Sequence, residues 1–350
     1  MAAKRPVVAI VFNDVDPDEY AELRNVDPDS LGFETENAIE VATVLEEYEA
    51  VRTALSKVGY RAELFNMKDD VDRLIGYLRK RRPDVVFNLV EHVHDKSGLE
   101  LAVAGLYDLL GIPFTGSGPL ALGICQRKGM TKQLLLANGV RTPRFHLLDE
   151  PALRRRHGLH FPIIIKPSRE DASVGVDAES VVYDQAQLHE RVAVSFADFG
   201  APILVEEFIE GRELHVAVLG NDPPTALPIL EYELSKLPSH LPRIISYAGK
   251  WDPLQEEFHR VESICPARLS RQVERRVREA ALVAYRLTSC RDYARIDARL
   301  SKDSKVYILE VNPNPDLTEE VSYMECAAAA GMSFGQTLKA IVEMALSRRQ

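Results

Sequence analysis

Two short, largely apolar segments carry groups that apolar segments rarely hold. Arg295-Ile-Asp297 is followed, after a polar turn, by Ile308-Leu-Glu310-Val-Asn312, so that a guanidinium, two carboxylates and a side-chain amide stand at two-residue spacing. Side chains alternate faces along a strand, which puts Arg295 and Asp297 on one side and Glu310 and Asn312 on one side. If the segments pair as a hairpin, all four converge on one patch. Asp297, Glu310 and Asn312 offer hard oxygen donors that suit Mg²⁺, with Mn²⁺ as a substitute, and such an ion completes its shell with water and phosphate oxygens. A carboxylate on a buried strand needs a cationic partner, and a nucleotide-bound Mg²⁺ would supply one. The competing reading is an exposed hairpin face where Asp297 and Glu310 pair with Arg295 and Arg299.

Further segments bear on that choice. Lys166-Pro-Ser-Arg-Glu-Asp-Ala-Ser173-Val-Gly175 starts where an apolar strand ends. Its small residues allow backbone N–H groups close to phosphate oxygens while the lysine adds a point charge, although the Walker spacing is absent. Val205-Glu206-Glu207-Phe208-Ile209-Glu210-Gly211-Arg212-Glu213 puts an acidic cluster after a strand. Its carboxylates and backbone could read an adenine amino group and ribose hydroxyls, or could form an acidic hairpin turn. Glu91-His92-Val-His94-Asp95 lacks the helical spacing of a zinc pair and reads as an exposed loop. No nucleophile triad is evident.

These groups must be positioned by elements whose patterns are legible. PVVAIVF is a buried strand, residues 38–58 a helix ended by Gly59, RAELF a strand, Val71 to Arg82 a helix and DVVFNLV a third strand. The alternation predicts an open, largely parallel α/β unit over residues 1–122. Leu99 to Leu110 is a helix, GIPFTGSG a strand-to-turn element and Gln126 to Asn138 a cationic amphipathic helix. A second unit over 123–216 holds the strands FPIIIKPS and PILVEEFI around a helix ending near Phe199. The third, 217–350, contains a long mobile loop from Lys236 to Phe258, a polar helix from Leu269 to Thr288, the strand pair YARIDARL and KVYILEV, and a closing amphipathic helix. The chain of 350 residues has 46% apolar and 27% charged residues and a net charge of -10. The acidic balance argues against nucleic acid or an anionic membrane as partner and favours small molecules. Four scattered cysteines read as reduced thiols, and neither a signal peptide nor a membrane span is expected, which places the protein in the cytoplasm.

KPSREDASVG, VEEFIEGRE and RIDARL followed by ILEVNPNP, in that order, resemble the ATP-grasp superfamily and its D-alanine:D-alanine ligase branch. FNLVE, LLGIPFTGSG and the Lys128 helix extend the resemblance over nearly the whole chain from Val85. It implies an α/β (α+β) ATP-grasp fold with an N-terminal α/β domain, a central lid and a C-terminal catalytic part. Carried over by position, Lys128 and Lys166 bind phosphates, and Ser168 to Gly175, with Ser173, forms the glycine-rich lid. Glu206 accepts from the adenine amino group, Glu207 and Ile209 give backbone contacts, and Glu213 holds ribose. Lys250 closes over the γ-phosphate, Arg295 faces the reacting phosphate, and Asp297, Glu310 and Asn312 ligate metal. Glu91 falls at the first-substrate pocket. The implied cofactors are ATP and Mg²⁺, the implied partners a carboxylate and an amine, and a homodimer is a frequent assembly of the family. The implied chemistry is amide formation through an acylphosphate.

The chain departs from that pattern in its substrate region. Ala172 stands where the lid serine is usual, and Trp251 replaces the loop tyrosine after the lysine. VFNDVDPDEY replaces the N-terminal glycine-rich motif. The turn Asn312-Pro-Asn-Pro-Asp316 replaces Asn-Thr-x-Pro-Gly, and the family's serine for the second alanine's carboxylate maps near Val321. Asp316, with Glu319 and Glu320 nearby, would repel a carboxylate-bearing acceptor. The expectation is a carboxylate-amine ligase with an acceptor other than D-alanine. A small-molecule kinase and a non-catalytic nucleotide-binding module are the alternatives.

Overall fold

PVVAIVF forms β1 (Val7–Phe12), the middle of a parallel sheet ordered β2-β1-β3, with β2 at Arg61–Asn66 and β3 at Val85–Leu89. This is a computed structural model, and it describes residues 5–14, 31, 33, 43–153, 157–170 and 173–349. Val8 and Ile10 enter one apolar cluster and Ala9 and Val11 another. A strand covered on both faces has no polar side, hence the unbroken apolar run. The connecting helices are α1 (Val44–Lys57), started by a Thr43–Glu46 capping box, and α2 (Val71–Arg81), capped by Asp70. Positions 38–42 of the first expected helix lie outside the described residues. The strand expected in GIPFTGSG reduces to one bridge between Phe114 and Val86.

Helices α3 (Glu100–Leu109), α4 (Pro119–Cys125) and α5 (Lys128–Ala137) lead to an antiparallel sheet ordered β4-β7-β5-β6. Its strands are β4 (Phe145–Leu148), β5 (Ile163–Pro167), β6 (Val181–Val182) and β7 (Ile203–Glu207), and α6 (Gln185–Phe199) covers one face with Leu188 and Val192. The strand β8 (Gly211–Leu219) then begins a different sheet, so the acidic stretch after β7 is a crossing between sheets, not a hairpin turn. With β9 (Thr225–Ala226), β10 (Leu230–Glu233), β11 (Glu262–Ile264), β12 (Tyr293–Ser301) and β13 (Val306–Asn312), the third sheet is ordered β11-β10-β8-β12-β13, with β9 on β8. The expected division at 216/217 falls inside β8, all of which pairs with β12.

One face of this sheet packs Val216, Ile296 and Ile308 against Val277 and Ala281 of α9 (Arg271–Leu287). The segment from Lys236 to Phe258 is not a structureless loop, since it carries α7 (Tyr247–Trp251) and most of α8 (Glu256–Arg260). After β13 come α10 (Ser322–Ala329) and the expected closing helix, α11 (Phe334–Leu346). Leu338, Ile341 and Val342 of α11 share a cluster with Val8 and Ile10, so the C-terminal helix completes the N-terminal core. Among the described residues no helix is long and apolar enough to cross a membrane.

Candidate active site

β12 and β13 pair antiparallel with Arg295 opposite Asn312 and Asp297 opposite Glu310, so the four polar groups do share one patch. Ile308, two residues before Glu310, lies in the core. The register shifts there: Ala298 faces Ile308 and Asp297 faces Glu310, leaving Leu309 as the extra residue of a bulge. The bulge turns Glu310 from the core side to the polar side. Arg295 donates from Nε and Nη2 to the two Asp297 oxygens at 2.8 and 2.9 Å, and Asn312 Nδ2 donates to Asp297 Oδ2 at 2.9 Å. The competing reading thus has its ion pair but not its exposed face, because Asp297 is only 5% exposed. Burial and Asp297 work against the Glu310 charge, but Lys128, whose Nζ is 3.5 Å from Glu310, together with Lys166 and Arg295, holds that carboxyl below its usual range.

At the other end of the cleft Glu206, at the end of β7, is 1% exposed and ion-paired on both sides, to Lys166 at 2.6 Å and Lys132 at 2.7 Å. Burial would raise its carboxyl, yet the two lysines outweigh that and lower it. Lys132, fully buried, also donates to Thr142 at 2.9 Å. Sequence reasoning missed Lys132, although it stands four residues after Lys128 and hence on the same helical face. Glu207 accepts from His160 N at 2.9 Å, and both Glu207 and Ile209 line the cleft. Glu213 on β8 pairs with Arg299, which β12 places one register step beyond Asp297. Burial nevertheless pushes the Glu213 carboxyl up.

The cleft between these ends encloses about 100 Å³ and is lined by Lys128, Lys166, Glu206, Glu213, Asp297 and Glu310 among others. Two bonds close it: Ser173 Oγ donates to Ile245 O at 3.2 Å, and Tyr247 N donates to Val176 O at 2.9 Å. Positions 171 and 172, including the lid departure at Ala172, lie outside the described residues. α7 brings Lys250 under the influence of Arg295, Asp297 and Glu310; burial, then Arg295, lowers its ammonium below the ordinary lysine range. The lysine also lies 4.8 Å from the ring centroid of Trp251. His215 on β8, a residue sequence reasoning passed over, sits 3.6 Å from Asp297 and 3.2 Å from Ser322 Oγ. Burial, Arg295 and Lys250 hold it well below the usual imidazole range, as a neutral group.

The departing turn after β13 is docked on the N-terminal unit. Ser117 N donates to Asn314 Oδ1 at 2.8 Å, Ser117 Oγ to Pro313 O at 3.1 Å, and Asn314 Nδ2 to Glu100 at 2.8 Å. Asp316 accepts from Thr318 N and Oγ1 at 2.8 and 2.7 Å. Beside them the carboxyl of Glu47 on α1 is raised to about 7, first by burial and then by Asp316. Asp14, Glu47, Glu91 and Asp316 all act on Tyr48, so the two expected substrate residues are brought to one acidic corner. Glu319 and Glu320 are exposed, and Val321 only precedes α10. His94 Nδ1 lies 3.5 Å from Asp69, and among the described residues no group of three His, Cys, Asp or Glu is gathered for a metal. The β12–β13 set, two carboxylates and an amide without a thiolate, fits a magnesium ion that takes its other ligands from water and phosphate.

The family model for the D-ala D-ala ligase C-terminus matches residues 138–343. The D-alanine–D-alanine ligase of Desulforudis audaxviator is 34% identical, over 85% of this chain and 92% of its own. That of Bordetella petrii is 34% identical over 84% and 85%. An uncharacterised protein of Sinorhizobium fredii is 32% identical over 77% of this chain and 76% of its own. Among solved structures, the Bacillus anthracis D-alanine–D-alanine ligase complexed with ATP superposes with a TM-score of 0.74 at 23% identity, covering 99% of each chain. The VanG D-Ala:D-Ser ligase of Enterococcus faecalis gives 0.70 at 20% identity over 98% and 100%. The three sheets are those of the ATP-grasp fold. The chain belongs to the D-alanine–D-alanine ligase family.

Proposed function

We propose that the protein is an ATP- and Mg²⁺-dependent carboxylate-amine ligase whose acceptor is not D-alanine. The observation that carries this reading is the β12–β13 register, which sets Asp297 and Glu310 opposite each other beside Arg295 and within reach of Lys128. A pure nucleotide-binding module has no use for Arg295, Lys250 and two opposed carboxylates in one patch. In the reaction, the donor carboxylate attacks the γ-phosphate of ATP, breaking its bond to the β–γ bridging oxygen and releasing ADP, to give an acylphosphate; the acceptor amine then attacks the acyl carbon, and phosphate leaves with loss of the amine proton.

The chain's own groups act by position and charge. Glu206, fixed between two lysines, accepts from the adenine amino group; the backbone of Glu207 and Ile209 meets the base, and Glu213 holds ribose. Lys128 and Lys166 bind phosphates with the lid around Ser173, Lys250 closes over the γ-phosphate, and Arg295 steadies the reacting phosphate. Asp297, Glu310 and Asn312 would hold Mg²⁺, which neutralises developing phosphate charge. The lid is the sheet β4 to β7 with α6, which swings away from the other two sheets when the Ser173–Ile245 and Tyr247–Val176 bonds release and would so admit a nucleoside triphosphate.

The acceptor reading rests on the acidic corner. Asp316 and Glu47 would repel an acceptor carboxylate and favour an amine that carries further positive charge or lacks a carboxylate. Glu91, under the same field, belongs to the first-substrate side. The dependence on ATP places the reaction in the cytoplasm. Phosphate release with D-alanine as sole substrate tests the acceptor: little or no turnover at low millimolar D-alanine is expected, with conjugates from an amino-acid and polyamine panel visible by mass spectrometry. Robust turnover on D-alanine alone would sink the acceptor reading.

A further inference from the structure

Beside the nucleotide cleft lies a second recess, of about 350 Å³, that the reaction scheme above does not use. Three elements meet there, and each brings one cation: Lys96 from the turn before α3, Arg127 from the α4–α5 junction, and Arg169 from the lid segment. Among the described residues none of the three forms an ion pair. Asp95 and Glu170 also line the recess, so its lining is net positive in a chain whose net charge is -10. Long cationic side chains left unpaired around a concavity, rather than on a convex surface, focus potential into it.

The recess is built rather than incidental. Its floor is Gln126, 8% exposed, which donates to Ser97 O at 2.8 Å and Glu100 Oε2 at 3.1 Å and so ties α4 to the Lys96 turn. That turn is tight, with Val93 and Lys96 exchanging backbone bonds at 3.3 and 3.0 Å around the left-handed residues His94 and Asp95. The recess is continuous with the site: Glu170 borders both cavities and its carbonyl accepts from Lys128 Nζ, while Arg127 is the residue before Lys128. It therefore opens at the phosphate end of the cleft, away from the acidic corner at Glu47 and Asp316.

We propose that this recess binds a second oxyanion group of the donor substrate, remote from the carboxylate that reacts, through Lys96, Arg127 and Arg169. The donor is then a dicarboxylate or a carboxylic acid bearing a phosphate-like group. This rests on the ligase reading for the word donor, but the recess itself is tested by binding without turnover. The full-length protein, with Mg²⁺ and a non-hydrolysable ATP analogue, is titrated calorimetrically with glutarate, 4-phosphonobutyrate and, as the single-charge control, pentanoate.

One or both dianions are expected to bind about tenfold tighter than pentanoate, the worth of one added charge-assisted contact. A glutarate preference identifies a carboxylate, and a phosphonobutyrate preference a phosphate-like group. Lys96→Gln and Arg169→Gln, on different elements, are each expected to cut the preference several-fold, and the triple variant with Arg127→Gln to abolish it while thermal melting is unchanged. The proposal is overturned if neither dianion exceeds pentanoate, or if the preference survives in both single variants. Should glutarate bind as expected while no amide forms with any amine, the ligase reading fails and the recess stands. Should amides form equally well from monocarboxylates, with the variants unaffected, the recess fails and the ligase reading stands.

Discussion

Among single residues, Glu206 shows how the site maintains a buried charge. A carboxylate 1% exposed survives because Lys132 and Lys166 flank it at 2.7 and 2.6 Å. Removing one partner strands the other charges, which costs far more than the pair contributes. Lys132→Met is expected to lower stability by about 3–5 kcal/mol, read as a shift in the urea midpoint; the double change with Glu206→Leu is expected to regain part of it. A midpoint shift within experimental error for the single variant would contradict this account of the pair. The residue types at Asp297, Glu310 and Asn312 were legible because strand alternation fixes which side chains share a face. Lys132 and His215 were not, because their significance lies in what a distant segment places opposite them, and Arg299, named as a partner for Asp297 and Glu310, pairs with Glu213 instead. Only their spacing from Lys128, Glu213 and Asp297 hinted at a shared face.

At the level of elements, the bulge at Leu309 and the docked turn that follows β13 decide the geometry. Gly116 has φ +84, and a Cβ there would lie 2.2 Å from Asn314 Oδ1. Gly116→Ala must therefore displace the Asn314 side chain that accepts from Ser117 and ties the turn to the N-terminal unit, at a cost of about 1–3 kcal/mol. A lower melting temperature and a raised acceptor KM are expected, with the KM for ATP little changed; an unaltered acceptor KM would detach the turn from acceptor binding. Glu47, near the start of α1, titrates at about 7 in the folded chain against 4.5 as its ordinary value. The unfolded chain ionises it first, so as pH rises from 4.5 to 7 this group takes stability away from the folded state, and the loss is complete above 7. Glu47→Gln should therefore melt higher than the parent at pH 8 and equally at pH 4, and the opposite order would remove the acidic corner. In the N-terminal unit β1, β2, α2 and β3 were readable from apolar runs and turn residues, whereas GIPFTGSG, expected as a strand, forms only a bridge. β8 was not separated from the acidic stretch before it, since GRELHVAVL mixes charges with apolar residues until its two faces are known to be site and core.

Across the whole molecule, three sheets hold one cleft, and the chain's last helix belongs to its first core. Leu338 and Ile341 packing with Val8 and Ile10 could not be read from the amphipathic pattern of α11, which marks an apolar face without naming its partner. Arg348 adds to the same closure, donating from Nη2 to Phe114 O at 2.7 Å and pairing with Asp292. The order of motifs along the chain was enough to suggest the ATP-grasp architecture by resemblance, with KPSREDASVG and ILEVNPNP running off the ends of β5 and β13 and RIDARL lying inside β12. The acceptor end was legible only as a departure, since the acid that acts with Asp316, Glu47, comes from the distant α1. The central claim is that donor oxygen passes to phosphate through an acylphosphate. Its most direct measurement supplies ATP, Mg²⁺, an amine panel and carboxylate donors enriched with ¹⁸O, and follows the label by mass spectrometry. One ¹⁸O is expected in the released phosphate for each amide formed. Unlabelled phosphate, or label retained in a phosphorylated donor without a conjugate, would contradict it.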